Sequence, residues 1–216
     1  MSSALESMLA VPPGRRDEEW ERKFLRELPS AKVRVLNPEP QLGPDHWPYL
    51  FVATEGDESS LESITGVLNW LSTRGIGLAV NPHKTTPDIV LTYGMVWNFR
   101  ERGEFITDRS GRPEKKKIEL QNGQEVLAGP PSEAYLPSYA RSILKQFLRD
   151  QGVLAPKVLM VSFDKENYDL CFSLESLGSP PAHEHEGIAE ALSWFLPMHY
   201  PVTLISEKVI PGFQPL

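Results

Sequence analysis

Two histidines separated by a single residue are the chain's nearest approach to a metal-binding phrase. In "PAHEHEG", residues 181–187, His183 and His185 offer imidazole nitrogen, and Glu184 and Glu186 add carboxylate oxygen. That donor set suits zinc or nickel. In an extended segment alternate side chains point the same way, so an HxH pair there can converge on one ion. The third ligand has to come from elsewhere, and neither His46, His83 nor His199 is placed beside the pair by sequence. The same residues also read as the acidic, solvated first turn of a helix. Both readings stand at this point.

Other reactive residues are sparse. Cys171 falls mid-strand in "YDLCFSLES", out of phase with Tyr168, Leu170, Phe172 and Leu174, which the alternation assigns to the core face. With no helix N-terminus to lower its pKa, it reads as an inert structural thiol. No GxSxG elbow occurs, and "GIG" at 75–77 is a helix stop that lacks both GxGxxG and GxxxxGK[ST]. "EKKK", 114–117, is a short basic run in a polar hairpin. It reads as a solvated face, with nucleic-acid contact the minor alternative.

The run "IVLTYGMVWNF", 89–99, is more unusual. At period two, Ile89, Leu91, Tyr93, Met95, Trp97 and Phe99 share one face of a strand. Unbroken, it would span about 36 Å and exceed the usual strand length, so Gly94 is expected to bulge or bend it. A helix over 59–74 covers only about 24 Å. The far end of the strand should overrun it, and Tyr93, Met95, Trp97 and Phe99 become candidate binding residues for a partner or interdomain surface. Plain core is the competing reading.

The elements that would carry these residues follow from periodicity. "DEEWERKFLREL", 17–28, is helical, with Trp20, Phe24 and Leu28 on one face, an acidic start and Pro29 as its stop. "KVRVL" and "YLFVAT" read as strands, and a helix with Leu61, Ile64, Val67, Leu68 and Leu71 on one face runs to a Gly75 cap. "IGLAV" is the next strand. Asn122-Gly123 marks a hairpin within "KIELQNGQEVL", and "AGPPSEAYLP" reads as a linker. Beyond it come a helix at 138–152, the strands "KVLMVSF" and "YDLCFSLES", a helix through Trp194 and the strand "VTLISE".

Both halves thus read helix, strand, strand, helix, strand. "ITGVLNWL" at 64–71 is echoed by "IAEALSWF" at 188–195, and "KFLRELPSAKVRV" by "QFLRDQGVLAPKVLMV". Phe24 aligns with Phe147, Lys32 with Lys157 and Trp70 with Trp194 at a nearly constant offset. An internal duplication explains both matches in one order; independent helices obeying one packing rule is the alternative.

Composition bounds the function. The 216 residues are 40% hydrophobic and 24% charged, with a net charge of −7. An acidic chain is poorly suited to general nucleic-acid binding, which needs a basic surface. The single cysteine excludes an internal disulfide and a cysteine-based zinc site. "MSSALESMLAVPPGRR" is a poor signal peptide, and no apolar run nears the ~20 residues a bilayer requires. A cytoplasmic setting without membrane association is expected.

Residues 135–207, through "LPSYARSILKQFL", "KVLMVSF…YDLCFSLES" and "IAEALSWFL" followed by "PVTLIS", resemble the C-terminal domain of the bacterial enhanced-serine-sensitivity (SseB-like) family. The helix–hairpin–helix order and acidity are also similar to chaperone-like binding folds such as the type III secretion chaperones. Neither resemblance implies catalytic residues. The expected architecture is α+β: a first unit at 1–110, hairpin and linker at 111–135, and a second unit at 136–216. The expected function is a non-enzymatic protein-binding or chaperone-like module with a protein partner or self-association and no cofactor. The alternatives are a metal-dependent enzyme centred on His183 and His185, or a small-ligand sensor using the cleft between units.

Overall fold

The computed structural model describes residues 4–84, 86–107, 126–162 and 167–216. The chain divides into two compact units, Met1–Ile106 and Thr107–Leu216, and a mixed sheet lies in each. The architecture is α+β, as the mixture of period-two and helical segments predicts. The expected Asn122-Gly123 hairpin and the "EKKK" run lie outside the described residues.

Unit one opens with α1 (Ala4–Leu9) and α2 (Glu18–Glu27). Asp17 caps α2 by accepting the Trp20 N–H at 2.8 Å, and Glu18, Glu19 and Glu21 sit at the positive end of its dipole. Phe24, Leu25 and Leu28 are buried. The chain then forms β1 (Lys32–Val35), β2 (Gln41–Leu42), β3 (Pro48–Ala53), β4 (Glu62–Ser63), α3 (Ile64–Leu71), β5 (Gly77–Val80) and β6 (Ile89–Leu91). The sheet runs β4-β1-β3-β5-β6, with β2 on β3. The β3–β5 pair is parallel and is bridged by α3; its neighbours β1–β3 and β5–β6 are antiparallel.

The helix expected over 59–74 is shorter. Glu62 and Ser63 pair with β1, and Ile64 N–H reaches Ala31 O at 3.1 Å, so strand geometry persists to the first helical residue. The "GIG" segment does stop the helix, and each glycine has its own reason. Gly75 turns at φ 71, a left-handed conformation that suits glycine. Gly77 opens β5 where a Cβ would come within 2.6 Å of both Leu91 O and the Tyr49 ring.

The long aromatic strand is overturned. Only Ile89–Leu91 is strand; Tyr93–Arg102 is a helix, α4. Thr92 caps it by accepting the Met95 N–H at 3.3 Å, and Gly103 ends it at φ 75. Tyr93, Val96 and Trp97 fit helical spacing as well as alternation fits a strand. A run buried nearly all round carries no periodic contrast to separate the two.

Unit two contains β7 (Leu127–Gly129), α5 (Ser138–Asp150), β8 (Lys157–Ser162), β9 (Asp169–Ser173), α6 (His185–Trp194), β10 (Val202–Ile205) and β11 (Gln214–Pro215). Its sheet runs β10-β9-β8-β11, with β7 also on β8. The expected linker is packed instead. Its β7 end joins the sheet, Leu136 is buried, and the Tyr135 ring stacks on Tyr200 at 4.1 Å. Cys171 corrects the alternation argument, because both faces of β9 are covered. Opposite the Leu170 and Phe172 face, Cys171 packs with Leu159, Val161, Ile210 and Phe213.

The two units share one pairing pattern. As β1 pairs antiparallel with β3 and β3 parallel with β5 across α3, so β8 pairs antiparallel with β9 and β9 parallel with β10 across α6. Lys32 and Lys157 each open the first of these strands. Trp70 and Trp194 both lie near the C-terminal ends of the crossover helices, yet Trp194 is 8% exposed and Trp70 40%. The Trp70 ring instead receives the Arg74 guanidinium at 4.2 Å.

The cap distinguishes the helical α4 from a strand. Thr92→Ala should lower unfolding free energy by about 1 kcal/mol and Thr92→Ser should restore it. Denaturant unfolding checks this, and equal stability of all three proteins would argue against the capped helix.

Candidate functional site

The carboxyl ends of the parallel strands β3 and β5 meet at Thr54 and Asn81. Asn81 N–H continues the ladder to Val52 O at 2.7 Å, and its backbone then turns at φ 52, a left-handed conformation that asparagine tolerates. Its side chain Oδ1 accepts the Thr54 N–H at 2.9 Å, while Nδ2 donates to Thr54 Oγ1 at 2.9 Å and Asp88 Oδ2 at 2.6 Å. Asp88 N–H returns to Val80 O at 2.9 Å. The 81–88 turn is thus closed by main chain and side chains together.

Two cations complete the group. Arg16 Nη1 lies 2.7 Å from Asp88 Oδ1, and Lys84 Nζ lies 2.5 Å from Asp88 Oδ2. Arg16 also donates to Val11 O and Leu9 O, and its guanidinium lies 4.4 Å from the Trp20 ring centroid. One arginine therefore fastens the segment after α1 to the strand end. The Asp88 side chain is 1% exposed, Arg16 10% and Lys84 37%. A shallow cleft of about 300 Å³ opens here, walled by Leu9, Val11 and Pro12, with Arg16, Lys84 and Asp88 on its polar side.

Burial acts to raise the pKa of Asp88, but hydrogen bonds from Lys84, Asn81 and Arg16 outweigh it and hold the carboxyl below its ordinary value. The group is an ionised anion with its partners in place.

Unit two has a second polar knot where β9 and β10 end. Ser173 Oγ donates to Glu207 Oε1 at 2.6 Å, and Lys157 Nζ lies 3.1 and 3.0 Å from the two Glu207 oxygens. Ser206 Oγ and Glu207 N–H both donate to Glu175. The Ser173 bond, then Lys157, lowers the pKa of Glu207; the Ser206 bond, then the Glu207 amide, lowers that of Glu175. Ser173 is buried and gives its proton to a carboxylate, so the arrangement braces strand ends and does not activate a nucleophile. The Cys171 thiol is pushed up to about 12, first by burial and then by Asp169, which keeps it protonated at neutral pH.

The expected binding residues occupy α4 instead of a strand tip. Tyr93, Met95 and Trp97 are buried, with Tyr93 Oη donating to Ser72 O at 2.7 Å, and half-buried Phe99 stacks on Phe105 at 4.6 Å. The geometric basis for an overhanging aromatic surface is therefore absent. His183 and His185 also lie outside an extended segment. His183 belongs to a single 3-10 turn, and His185 begins α6 with Nε2 2.9 Å from Pro180 O. Among the described residues no group of three His, Cys, Asp or Glu forms a metal-holding cluster. Nor, among them, is any helix long and apolar enough to cross a membrane.

One sheet edge stands out. The terminal strands β4, β6 and β11 run two or three residues, whereas β10 runs four, reads Val-Thr-Leu-Ile and carries no charge. Its residues are all half-buried. Pro201 O and Ile205 O accept from Leu170 and Leu174 on the β9 side. By the alternation of a parallel ladder, Val202 and Leu204 turn their N–H and C=O groups away from β9. Among the described residues no strand pairs with that side.

Neither the Asp88 group nor the β10 edge is apparent from local sequence. "NPHKTTPD" reads only as a turn, and Arg16 lies 72 residues from Asp88. No family model, curated protein or solved structure matches the chain.

The Asp88 pKa is lowered on folding, so its contribution to stability is complete above the unfolded carboxylate range. That contribution is lost as pH falls through the folded value. Asp88→Asn should cost about 3 kcal/mol at pH 7, because it leaves Arg16 poorly compensated in a buried setting. It should also flatten the acid limb of the stability curve. Urea titrations from neutral to acid pH check both, and an unchanged acid limb would remove Asp88 as its source.

Proposed function

We propose that the protein is a non-enzymatic binding module that accepts an extended segment of a protein partner along β10. The uncharged β10 edge, with the outward main-chain groups of Val202 and Leu204, carries this reading. Main-chain hydrogen bonds supply affinity in such strand addition, and alternate side chains supply selectivity. Native edges are commonly blunted by charge, proline or bulges, and none interrupts Val202–Ile205. Half-buried Val202 and Leu204 offer apolar contact to a partner strand, so the favoured segment alternates β-branched or aromatic residues.

We also infer that the units descend from one duplicated helix-strand-strand-helix-strand module. The shared antiparallel-then-parallel pairing supports it. We retain the SseB-like resemblance of residues 135–207 as a proposal supported by the same order of elements.

A peptide-display library selected on the native chain tests strand addition. Recovered peptides should alternate apolar residues and lose at least tenfold in affinity against Leu204→Pro. Proline there removes an outward donor while sparing the β9 ladder, a placement sheet edges tolerate. Circular dichroism of the variant should be unchanged. Folded Leu204→Pro that binds the selected peptides as well as the parent overturns the edge as the docking site.

A further inference from the structure

We propose that the cleft beside Asp88 in unit one binds a small monocarboxylate with a compact apolar body. The charge inventory comes first. Arg16 and Lys84 contribute two positive charges and Asp88 one negative, leaving a local excess of one positive charge in a chain whose net charge is −7. A monoanion balances that excess. A doubly charged phosphate would overshoot it and crowd the Asp88 carboxylate, which is ionised in the folded protein.

The donors come next. An ammonium has three N–H groups, and Asp88 Oδ2 takes one from Lys84. No other partner of the Lys84 ammonium occurs among the described residues, and its side chain is 37% exposed at the cleft. Arg16 is committed to Val11 O, Leu9 O and Asp88, so it supplies field and a fixed wall more than new bonds. Thr86 also lines the cleft and brings a hydroxyl donor. Lys84 and Thr86 are thus the donors assigned to the incoming carboxylate.

The remaining wall selects the body of the ligand. Leu9, Val11, Pro12 and Pro13 present aliphatic surface, and about 300 Å³ is at the small end of ligand sites. A branched chain of a few carbons fits this space and chemistry. Arg16 hydrogen-bonds to the carbonyls of Leu9 and Val11 and also meets Asp88, so the apolar wall and charged floor are held at a set separation before any ligand arrives. The Asp88 carboxylate has its own partners and is not displaced by the incoming one.

The same chemistry is offered by a free branched carboxylic acid and by the C-terminal carboxylate of a protein chain ending in valine or leucine. Titration of the ¹⁵N-labelled full chain with 3-methylbutanoate and with N-acetylvaline addresses both. Each should produce saturable shifts centred on the Val11, Lys84 and Thr86 amides, with a dissociation constant near millimolar for the smaller probe. Tighter binding of N-acetylvaline identifies a chain terminus as the source; the reverse order identifies a free acid. Lys84→Met should weaken binding at least tenfold while spectral dispersion persists, and Lys84→Arg should recover most of it. Three results overturn the proposal: no saturable shift at these amides, equal binding of the neutral 3-methylbutanamide, or phosphate competing as well as the carboxylates. Peptide binding at β10 is read separately with the Leu204→Pro chain, so failure of one site leaves the other to be judged alone.

Discussion

A parallel pair of strands cannot be closed by a tight turn; the chain must leave the sheet, cross over it and return. Each unit is organised around one such pair, β3 with β5 and β9 with β10. The crossover determines where the apolar helix face must lie. In unit one it brings Ile64, Val67, Leu68 and Leu71 into a cluster with Val52, Leu78 and Val80. Antiparallel neighbours then extend the sheet on the open sides. Helix spacing, strand order and the position of the two tryptophan helices all descend from that one requirement.

The crossover also gathers consecutive strand ends on one side of each sheet, where exposed main-chain groups need partners. Unit one answers with Asn81, Thr54 and Asp88; unit two answers with Ser173, Glu175, Ser206 and Glu207. The solutions differ in kind. Unit one surrounds a nearly inaccessible carboxylate with two cations, whereas unit two links buried Ser173 and half-buried Ser206 to two half-buried glutamates. The first lies beside a cleft onto which the partly exposed Lys84 opens. Shared topology therefore coexists with divergent chemistry.

Much of the scaffold was legible in the sequence because it is written locally. Asp17 and the acids after it mark the start of α2, Gly75 marks the turn after α3, and the apolar phrases around Leu78 and Leu170 mark strands. The errors cluster where local signals lack contrast. Tyr93 to Phe99 is buried on most sides, so alternation and helical spacing fit equally, and only strand length argued against the strand. Residues 128–137 read as a linker because three of the ten are prolines, yet Leu136 is buried and the Tyr135 ring stacks on Tyr200, 65 residues away. The Asp88 group was illegible for a simple reason. Its partners come from three separated segments, and none of those segments is unusual alone.

The separation of Arg16 from Asp88 bears on the order in which the molecule is built and dismantled. A contact spanning 72 residues closes a long loop, and the chain entropy of closure has to be met before the contact returns anything. The hairpin and crossover pairs of the sheet span far less chain. The ion pair is thus the kind of contact that joins after the folding barrier, when the sheet already presents Asp88. Contacts absent from that barrier leave the folding rate nearly untouched and act on the rate of escape from the native state. An arginine that joins at that stage would act as a latch, slowing the opening of the native state more than it speeds folding.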